Sequence, residues 1–283
     1  MLKLIKQNLI LLGIIFCNFP CYSQIDANSR AEMNLRGNIK SVTEYSYHAI
    51  DKFGKLTKGG FGRGWPPIWN EIDDYTLTFN TKGNKVTKIT FDSQGVINDK
   101  STFVYNQSDK LIEINSYEPN GILKSKEILK YDNVGNKIEE TTYNGKGDQI
   151  SKYAYIRNNQ GKVTEETAYY GPGAVTKTFY KYDSQGNLIE RYYEDGTYFK
   201  IQNVDGKMVE QIEYMDNRSI RKYRYKYDRF GNLTKYEKIY GEISTQEDYS
   251  CSYECDNNSN WIKETIYEFG KATYIIERQL VYF

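Results

Sequence analysis

Three stretches of the chain repeat one phrase: "KYDNVGNKIEETTY" (Lys130–Tyr143), "KYDSQGNLIERYYE" (Lys181–Glu194) and "KYDRFGNLTKYEKI" (Lys226–Ile239). An aspartate that opens a turn accepts hydrogen bonds from backbone N–H groups two residues on. A glycine three residues later supplies the positive φ that a type I turn with a bulge requires. The phrase therefore predicts one turn built several times, with these structural residues: Asp132, Gly135, Asp183, Gly186, Asp228 and Gly231.

The residues between the turns alternate in character. In "KYRYKYD" (Lys222–Asp228) the tyrosines share one face and the basic residues share the other. This period of two, with many Tyr, Thr, Ile and Val residues, is typical of β-strands. The aromatic residues that close successive strands recur in steps near 12 and 14, so the compound unit has about 26 residues. The sequence predicts an all-β fold, a repetitive antiparallel array of β-hairpins with almost no helix.

The phrase also carries a family resemblance. "YDxxGN" followed by an aliphatic residue, with weaker copies such as "TFDSQG" (Thr90–Gly95), resembles the YD repeats of the Rhs and Tc-toxin shell proteins. The resemblance implies a hairpin array that coils into a β-shell or solenoid. In large members of that family the shell encapsulates a toxin. The chain resembles a short secreted member without the toxin or the core domain.

The number of strands limits the shape of the sheet. About 15 or 16 strands at about 4.8 Å spacing would make a sheet roughly 75 Å wide. Open twisted sheets seldom exceed about ten strands, so this one must coil, split into facing layers or close. The coil is our expectation. An outer-membrane barrel is the alternative, but it needs an outward apolar band, whereas the alternating faces here carry Tyr and Thr against Lys, Arg and Glu.

The first residues have the order of a secretory signal peptide. Lys3 and Lys6 form a basic start, Leu9–Phe16 is an apolar stretch, and small residues precede Gln24. This order predicts a signal peptide over residues 1–23 that is cleaved in the mature protein. We therefore expect a bacterial protein that is secreted or periplasmic.

Lipidation is the alternative for this leader. Cys17 or Cys21 would then carry the lipid and anchor the protein at the cell envelope, although a bulky or proline residue precedes each. After the leader, residues 24–78 are expected to hold N-terminal strands and a Gly/Trp-rich cap or loop. They should form one continuous domain with the repeat region, residues 79–283.

Composition excludes several classes of partner. Removing the two lysines of the leader changes the formal charge from +1 to −1. A near-neutral chain gives no reason to expect nucleic acid as a partner. No later stretch approaches 18 consecutive apolar residues, so we expect no transmembrane segment.

The chain is poor in residues for catalysis. It has one histidine, His48, and neither G-x-S-x-G nor H-E-x-x-H. "GGFGRG" (Gly59–Gly64) lacks the spacing and the lysine of a phosphate-binding loop. We predict a protein that is not an enzyme, with no cofactor and no metal site.

Two cysteines remain after the leader, Cys251 and Cys255. An oxidising compartment permits a disulfide between them. Four extended residues, however, separate two Cα atoms by about 13 Å, while a disulfide needs roughly 4.4–6.8 Å. Free cysteines are therefore the favoured expectation, and a disulfide across a bend at residues 252–254 is the alternative.

One stretch, "KLTKGGFGRGWPPIWNEIDDY" (Lys55–Tyr75), interrupts the repeat. Its tryptophans have two interpretations. In the favoured one they form a cap over the first edge strand, because repeat arrays need an atypical terminus. In the other, Trp65 and Trp69, with Arg63 between the glycines, form a loop that binds a ligand such as a sugar ring.

Two functional hypotheses follow from these features. The first is a secreted non-enzymatic β-repeat scaffold that binds a cell-envelope glycan or a protein partner. The second is a small shell or immunity-type protein that sequesters a toxin-like polypeptide. Glycan binding would favour the first, and a neighbouring toxin gene would favour the second.

Overall fold

The computed structural model describes residues 29–31, 33–62, 74–171, 173–241 and 244–283, and within these ranges the secondary structure is antiparallel β-sheet and turns. The prediction of an all-β hairpin array is confirmed. Among the described residues, no helix has the length and apolar character needed to cross a bilayer.

In the described part of the chain, nineteen strands form a single sheet. They are β1 (Ile39–Lys52), β2 (Lys55–Phe61), β3 (Asp74–Phe79), β4 (Lys85–Phe91), β5 (Ile97–Tyr105), β6 (Leu111–Tyr117), β7 (Leu123–Tyr131), β8 (Lys137–Asn144), β9 (Gln149–Arg157), β10 (Val163–Tyr170), β11 (Ala174–Tyr182), β12 (Leu188–Tyr193), β13 (Tyr198–Val204), β14 (Lys207–Met215), β15 (Arg218–Tyr227), β16 (Leu233–Tyr240), β17 (Ser244–Cys255), β18 (Trp261–Glu268) and β19 (Lys271–Tyr282).

The sheet closes on itself, and this corrects the predicted coil. One edge of β1 pairs with β19, where Ser46 lies opposite Ile276. The other edge pairs with β3 near its start and with β2 near its end. β1 and β3–β19 therefore form a closed antiparallel barrel of 18 strands, extended by β2, in place of a spiral shell or solenoid. Pairing of the first strand with the last removes the open edges on which a coil depends.

The hairpin turns alternate between the two ends of the barrel. The turns of the repeated phrase, Asp132–Asn136, Asp183–Asn187 and Asp228–Asn232, all join an odd-numbered strand to the following even-numbered one. They therefore lie at the same end, which we call the first rim. The compound repeat has two strands, one in each direction, so each copy of the phrase returns to this end.

The first-rim turns have the geometry of a type I turn with a bulge. The Gly135 N–H donates to the carbonyl of Asp132 at 3.0 Å, and the Asp132 N–H donates to the carbonyl of Asn136 at 2.9 Å. The Asp132 Oδ1 accepts from the N–H groups of Val134 and Asn136. Gly135 has φ 88°, and Asp109 occupies the corresponding position of another turn with φ 57°. The aspartate side chain stabilises the turn by accepting hydrogen bonds from N–H groups within it. The fourth residue, Gly135 in this turn, adopts the positive φ that reverses the chain direction.

The two faces of the sheet differ in chemistry. A buried apolar cluster from β13–β19, which includes Ile201, Ile266 and Ile276, lies on one face, as does a second cluster around Val42 and Leu77. We call this the inner face, because a closed sheet buries the side that it encloses.

The outer face carries cross-strand ion pairs. Lys126 pairs with Glu113 at 2.7 Å, and Lys152 pairs with Glu139 at 2.6 Å. These side chains are partly exposed, so each pair contributes little to stability.

Residues 29–31 and 33–38, which precede β1, lie across the first rim. The Arg30 guanidinium donates to the carbonyl of Thr81 in the β3–β4 turn at 3.0 Å. The Asn34 side chain donates to the carbonyl of Phe230 in the β15–β16 turn at 2.8 Å. The segment therefore bridges turns on both sides of the β1–β19 pairing.

Candidate functional site

A row of tyrosines and carboxylates crosses the inner face from β7 to β12. Residues directly opposite each other in an antiparallel pair project from the same face. Glu140 lies opposite Tyr153, Tyr155 lies opposite Glu166, and Tyr180 lies opposite Arg191. Glu127 continues the row on β7, opposite Thr142 of β8. We call the following residues the belt: Glu127, Glu140, Tyr153, Tyr155, Glu166, Tyr180 and Arg191.

The belt concentrates negative charge on the inner face. The Lys137 ammonium pairs with Glu140 at 2.7 Å and lies 5.3 Å from the centre of the Tyr155 ring. Burial and, to a lesser extent, the Glu140 charge raise the pKa of Glu127 to about 7. Burial and Glu140 also raise the pKa of Glu166. The belt can therefore hold protons near neutral pH and offers both donors and acceptors to a ligand.

The belt tyrosines stay protonated and keep part of their surface open. Burial is the main cause that raises the pKa of Tyr155 and that of Tyr180. Both rings are half-buried, as is Tyr153, whose hydroxyl lies 2.9 Å from that of Tyr170. A half-buried phenol that keeps part of its ring open offers a surface for stacking and a hydroxyl for hydrogen bonds.

Next to the belt, the inner face of β4–β7 contains a recess of about 370 Å³. We call it the polar recess, and its lining residues are Lys88, Thr90, Asn98, Asp99, Ser101, Ser116, Lys124 and Ser125.

Strand register assembles the lining. Ser101 on β5 lies opposite Lys88 on β4 and opposite Ser116 on β6. Ser116 in turn lies opposite Ser125 on β7. Lys88 faces Leu77 of the second buried cluster, which places the whole row on the inner face.

Hydrogen bonding in the polar recess is incomplete. The Lys124 ammonium pairs with the Asp99 Oδ2 at 2.5 Å, and the Ser101 and Ser116 hydroxyls lie 3.1 Å apart. The Asp99 Oδ1 is buried without a hydrogen-bond partner. A buried acceptor without a donor costs free energy, so this oxygen marks a place where an incoming hydroxyl would be stabilised.

A second polar cluster on the inner face is filled by its own side chains. Glu44 pairs with Arg278 at 2.6 Å and also accepts from the Tyr75 hydroxyl. The Arg278 guanidinium lies 3.3 Å from the centre of the Trp261 ring. Burial raises the pKa of the neighbouring Glu264 to about 7. This cluster resembles a satisfied polar core more than an open site.

The residues predicted from the sequence lie elsewhere. Arg63, Trp65 and Trp69 fall in residues 63–73, outside the described residues, so their two interpretations stay predictions. The six turn residues lie at the first rim, where they shape hairpins: Asp132, Gly135, Asp183, Gly186, Asp228 and Gly231.

The remaining residues singled out from the sequence lie on β17 and β1. Cys251 is buried, Cys255 is exposed, and both are free thiols. The His48 ring packs 5.3 Å from the ring of Tyr274. Within the described ranges, no group of three or more His, Cys, Asp or Glu residues is arranged to hold a metal ion.

Sequence reasoning missed both the belt and the polar recess. Ser101, Ser116 and Ser125 are separated by nine or more residues and lie on three different strands. The local sequence contains no signal that marks these three serines. Their position on one face of neighbouring strands becomes visible only when the strand register is known. Alternation alone assigns each residue to a face and does not say which residues meet across strands.

Comparison with known proteins gives distant likenesses of shape. No known family model and no curated protein matches the chain. The chain is similar to the structure "TcdB2-TccC3-TEV", with 10% identity, 81% of this chain and 15% of that chain covered, and a TM-score of 0.36. It is similar to a porin-like protein from Bacteroides uniformis, with 10% identity, 86% and 98% covered, and a TM-score of 0.42. It is also similar to the Tc holotoxin pore of Photorhabdus luminescens, with 14% identity, 84% and 11% covered, and a TM-score of 0.33.

Two of these three structures are of Tc-toxin components, and their identity to this chain is 10% and 14%. The chain spans 15% of the first of these structures. The TM-scores are too low to carry over any property of those proteins, and the function must be argued from the barrel itself.

Proposed function

We propose that this protein is a non-enzymatic binding protein that holds a carbohydrate, such as a cell-envelope glycan, on the inner face of its barrel. The observation that carries the proposal is the belt. Half-buried tyrosines of β9 and β11 alternate there with carboxylates of β8 and β10.

Carbohydrate chemistry suits such a surface. Sugar rings present a flat C–H face that packs on an aromatic ring, and hydroxyls that bond to carboxylates and phenols. Barrels of about 16 to 18 strands enclose more space than their side chains fill. Strands spaced about 4.8 Å apart repeat these groups on a scale similar to the units of a polymer.

The chemistry of the belt favours binding over catalysis. Glu140 is occupied by Lys137 at 2.7 Å, and the one histidine packs against Tyr274. Glu264, an acid outside the belt whose pKa is raised, accepts from the Tyr253 hydroxyl at 2.9 Å inside a filled cluster. These contacts support a scaffold role.

The proposed location follows from the predicted leader. A signal peptide over residues 1–23 would deliver the mature chain to the periplasm or the outside of the cell. A glycan of the cell envelope is the carbohydrate that such a protein would meet.

Binding of the mature chain to an array of envelope oligosaccharides tests the proposal. We expect at least one oligosaccharide to bind, and Tyr155→Ala or Tyr180→Ala to weaken that binding about tenfold or more, because stacking is lost. Tyr143→Ala, on the outer face of β8, is the matched control and should bind as wild type does.

Two outcomes would overturn the proposal. One is an array without a bound oligosaccharide. The other is oligosaccharide binding that both belt variants, Tyr155→Ala and Tyr180→Ala, leave as in wild type. Capture of a polypeptide together with an empty array would favour the sequestering hypothesis.

A further inference from the structure

We propose that the polar recess is a subsite for an acidic sugar unit, one that carries a carboxylate beside its hydroxyls. This inference rests on the proposed carbohydrate function and names the class of sugar. It assigns the hydroxyls to the Asp99 side of the recess and the carboxylate to Lys88.

The first argument is the unsatisfied oxygen of Asp99. Its Oδ2 is held by Lys124 at 2.5 Å, whereas its Oδ1 is buried and has no hydrogen-bond partner. An ionised carboxylate only accepts hydrogen bonds, so the missing partner must be a donor. A sugar hydroxyl is a donor of suitable size, and a bond to a charged acceptor is stronger than one between neutral groups.

The second argument is the charge of the recess. Two lysines and one aspartate line it, and the aspartate is engaged by Lys124. Among the described residues, Lys88 forms no ion pair, and its ammonium lies 5.7 Å from the centre of the Tyr75 ring. The recess therefore keeps one positive charge that an anionic group would complement.

The third argument is the remaining lining. Ser101, Ser116, Ser125 and Thr90 supply hydroxyls, and Asn98 supplies an amide. Hydroxyls and amides donate and accept, so they fit a ring of hydroxyl groups in several orientations. The volume of about 370 Å³ lies at the small end of the range for small-molecule sites, which suits a sugar unit.

The fourth argument is continuity with the belt. Ser125 of the recess and Glu127 of the belt are two residues apart on β7 and share its inner face. Such residues are separated by roughly 7 Å along the strand. A polymer that lies on the belt can therefore place its next unit in the recess.

Calorimetric titration of the mature protein with glucuronate, glucose and acetate tests the inference. Glucose has the hydroxyls without the carboxylate, and acetate has the carboxylate without the hydroxyls. We expect glucuronate to bind at least about tenfold more tightly than either, because it satisfies both sides of the recess.

Variants assign the two contacts. Lys88→Met should reduce the affinity for glucuronate to that for glucose, and Asp99→Asn should weaken both sugars. Lys126→Met, on the outer face of β7, is the matched control and should leave all three affinities unchanged.

The outcomes separate this inference from the proposed function. If glucose or acetate binds as tightly as glucuronate, or if Lys88→Met changes nothing, the acidic-sugar assignment is wrong. The carbohydrate function still stands in that case, provided that oligosaccharide binding depends on Tyr155. If wild type binds neither oligosaccharides nor glucuronate, both are wrong.

Discussion

The Tyr131 hydroxyl on β7 donates a hydrogen bond to the backbone carbonyl of Leu111, 2.6 Å away at the start of β6. Tyrosines before other first-rim turns reach the carbonyl 19 or 20 residues earlier in the same way: Tyr105 to Lys85, Tyr182 to Val163 and Tyr253 to Leu233. Where the sequence has Arg157, its guanidinium makes the contact. These four tyrosines and Arg157 thus link the first-rim turn that follows each of them to the preceding first-rim turn.

This contact predicts a measurable loss. Tyr131→Phe should lower the free energy of unfolding by about 1 kcal/mol, because the ring stays and the hydrogen bond is removed. Tyr143→Phe, on the outer face of the next strand, should change it by less than about 0.5 kcal/mol. Urea unfolding of both variants compares the two values. Equal losses of unfolding free energy in the two variants would show that the hydrogen bond from Tyr131 to Leu111 does not stabilise the first rim.

The glycine of the turn should tolerate few replacements. Gly186 has φ 83°, and a Cβ there would lie 3.2 Å from the Lys162 Cε. Gly186→Val should cost about 1–3 kcal/mol, because a β-branched residue is strained at positive φ. Gly186→Asn should cost less, since asparagine visits this region more readily.

Asp183→Asn is the matched control for this turn. The Asp183 Oδ1 accepts from the N–H groups of Gln185 and Asn187, and asparagine keeps that oxygen. We expect a change below about 0.5 kcal/mol. Thermal melts of the three variants rank them, and a valine variant as stable as wild type would contradict the turn geometry.

The inner ion pair should matter more than the outer ones. The Glu44 and Arg278 side chains are 12% and 10% exposed. Glu44→Gln should cost about 3–5 kcal/mol, because it leaves the buried guanidinium without its counter-charge. Lys263→Gln, which breaks the exposed pair with Glu254, should cost less than about 1 kcal/mol. Urea unfolding measures both, and similar costs would count against burial as the cause.

Glu264 should make stability depend on pH. Its pKa is raised from 4.5 to about 7 by burial. Between these values the folded state binds more protons than the unfolded state, so stability decreases as pH rises through this window. The contribution of this group is about 3 kcal/mol at most.

Glu264→Gln tests this dependence. Chemical unfolding at pH values from 4.5 to 7 should give a shallower slope for the variant than for wild type. Some slope should remain, because the pKa of Glu127 is also about 7. Glu254→Gln, at an exposed position, should leave the slope unchanged. A wild-type slope of the opposite sign would refute the assignment.

The two cysteines should differ in reactivity. Cys251 is buried and Cys255 is exposed, and burial raises the pKa of the Cys251 thiol. Since the thiolate is the reactive form, iodoacetamide should label Cys255 in the folded protein and Cys251 only after unfolding. Mass spectrometry of the labelled peptides gives the answer, and recovery of a Cys251–Cys255 disulfide would contradict it.

Local features of the fold were predictable from the sequence, and closure was not. Turn residues such as Asp132 and Gly135 interact with residues of the same five-residue turn, so a short stretch of sequence is enough to predict their structure. At the seam, where β1 pairs with β19, Ser46 lies opposite Ile276. The sequence around either residue contains no feature that predicts this pairing. A sheet of this width must coil, split or close, and the choice depends on twist summed over all its strands.

The candidate site was predictable only in composition. A tyrosine-rich chain with alternating strands implies a tyrosine-rich face, as the belt shows. Asp99, however, is one of many polar residues along the strands, and its unsatisfied Oδ1 results from its neighbours on β4 and β7. The surroundings of that oxygen depend on which strands are neighbours in the sheet, and the local sequence around Asp99 does not give them.

The seam also orders the events of folding. Apart from the seam and the β1–β3 contact, strands pair with their neighbours in sequence, so hairpins can form early and independently. The seam joins residues 230 positions apart and can form only when the intervening sheet has curved enough to bring its ends together. Until then the sheet has two open edges on which another chain can pair. The time before closure is therefore the period in which this protein is most prone to aggregate.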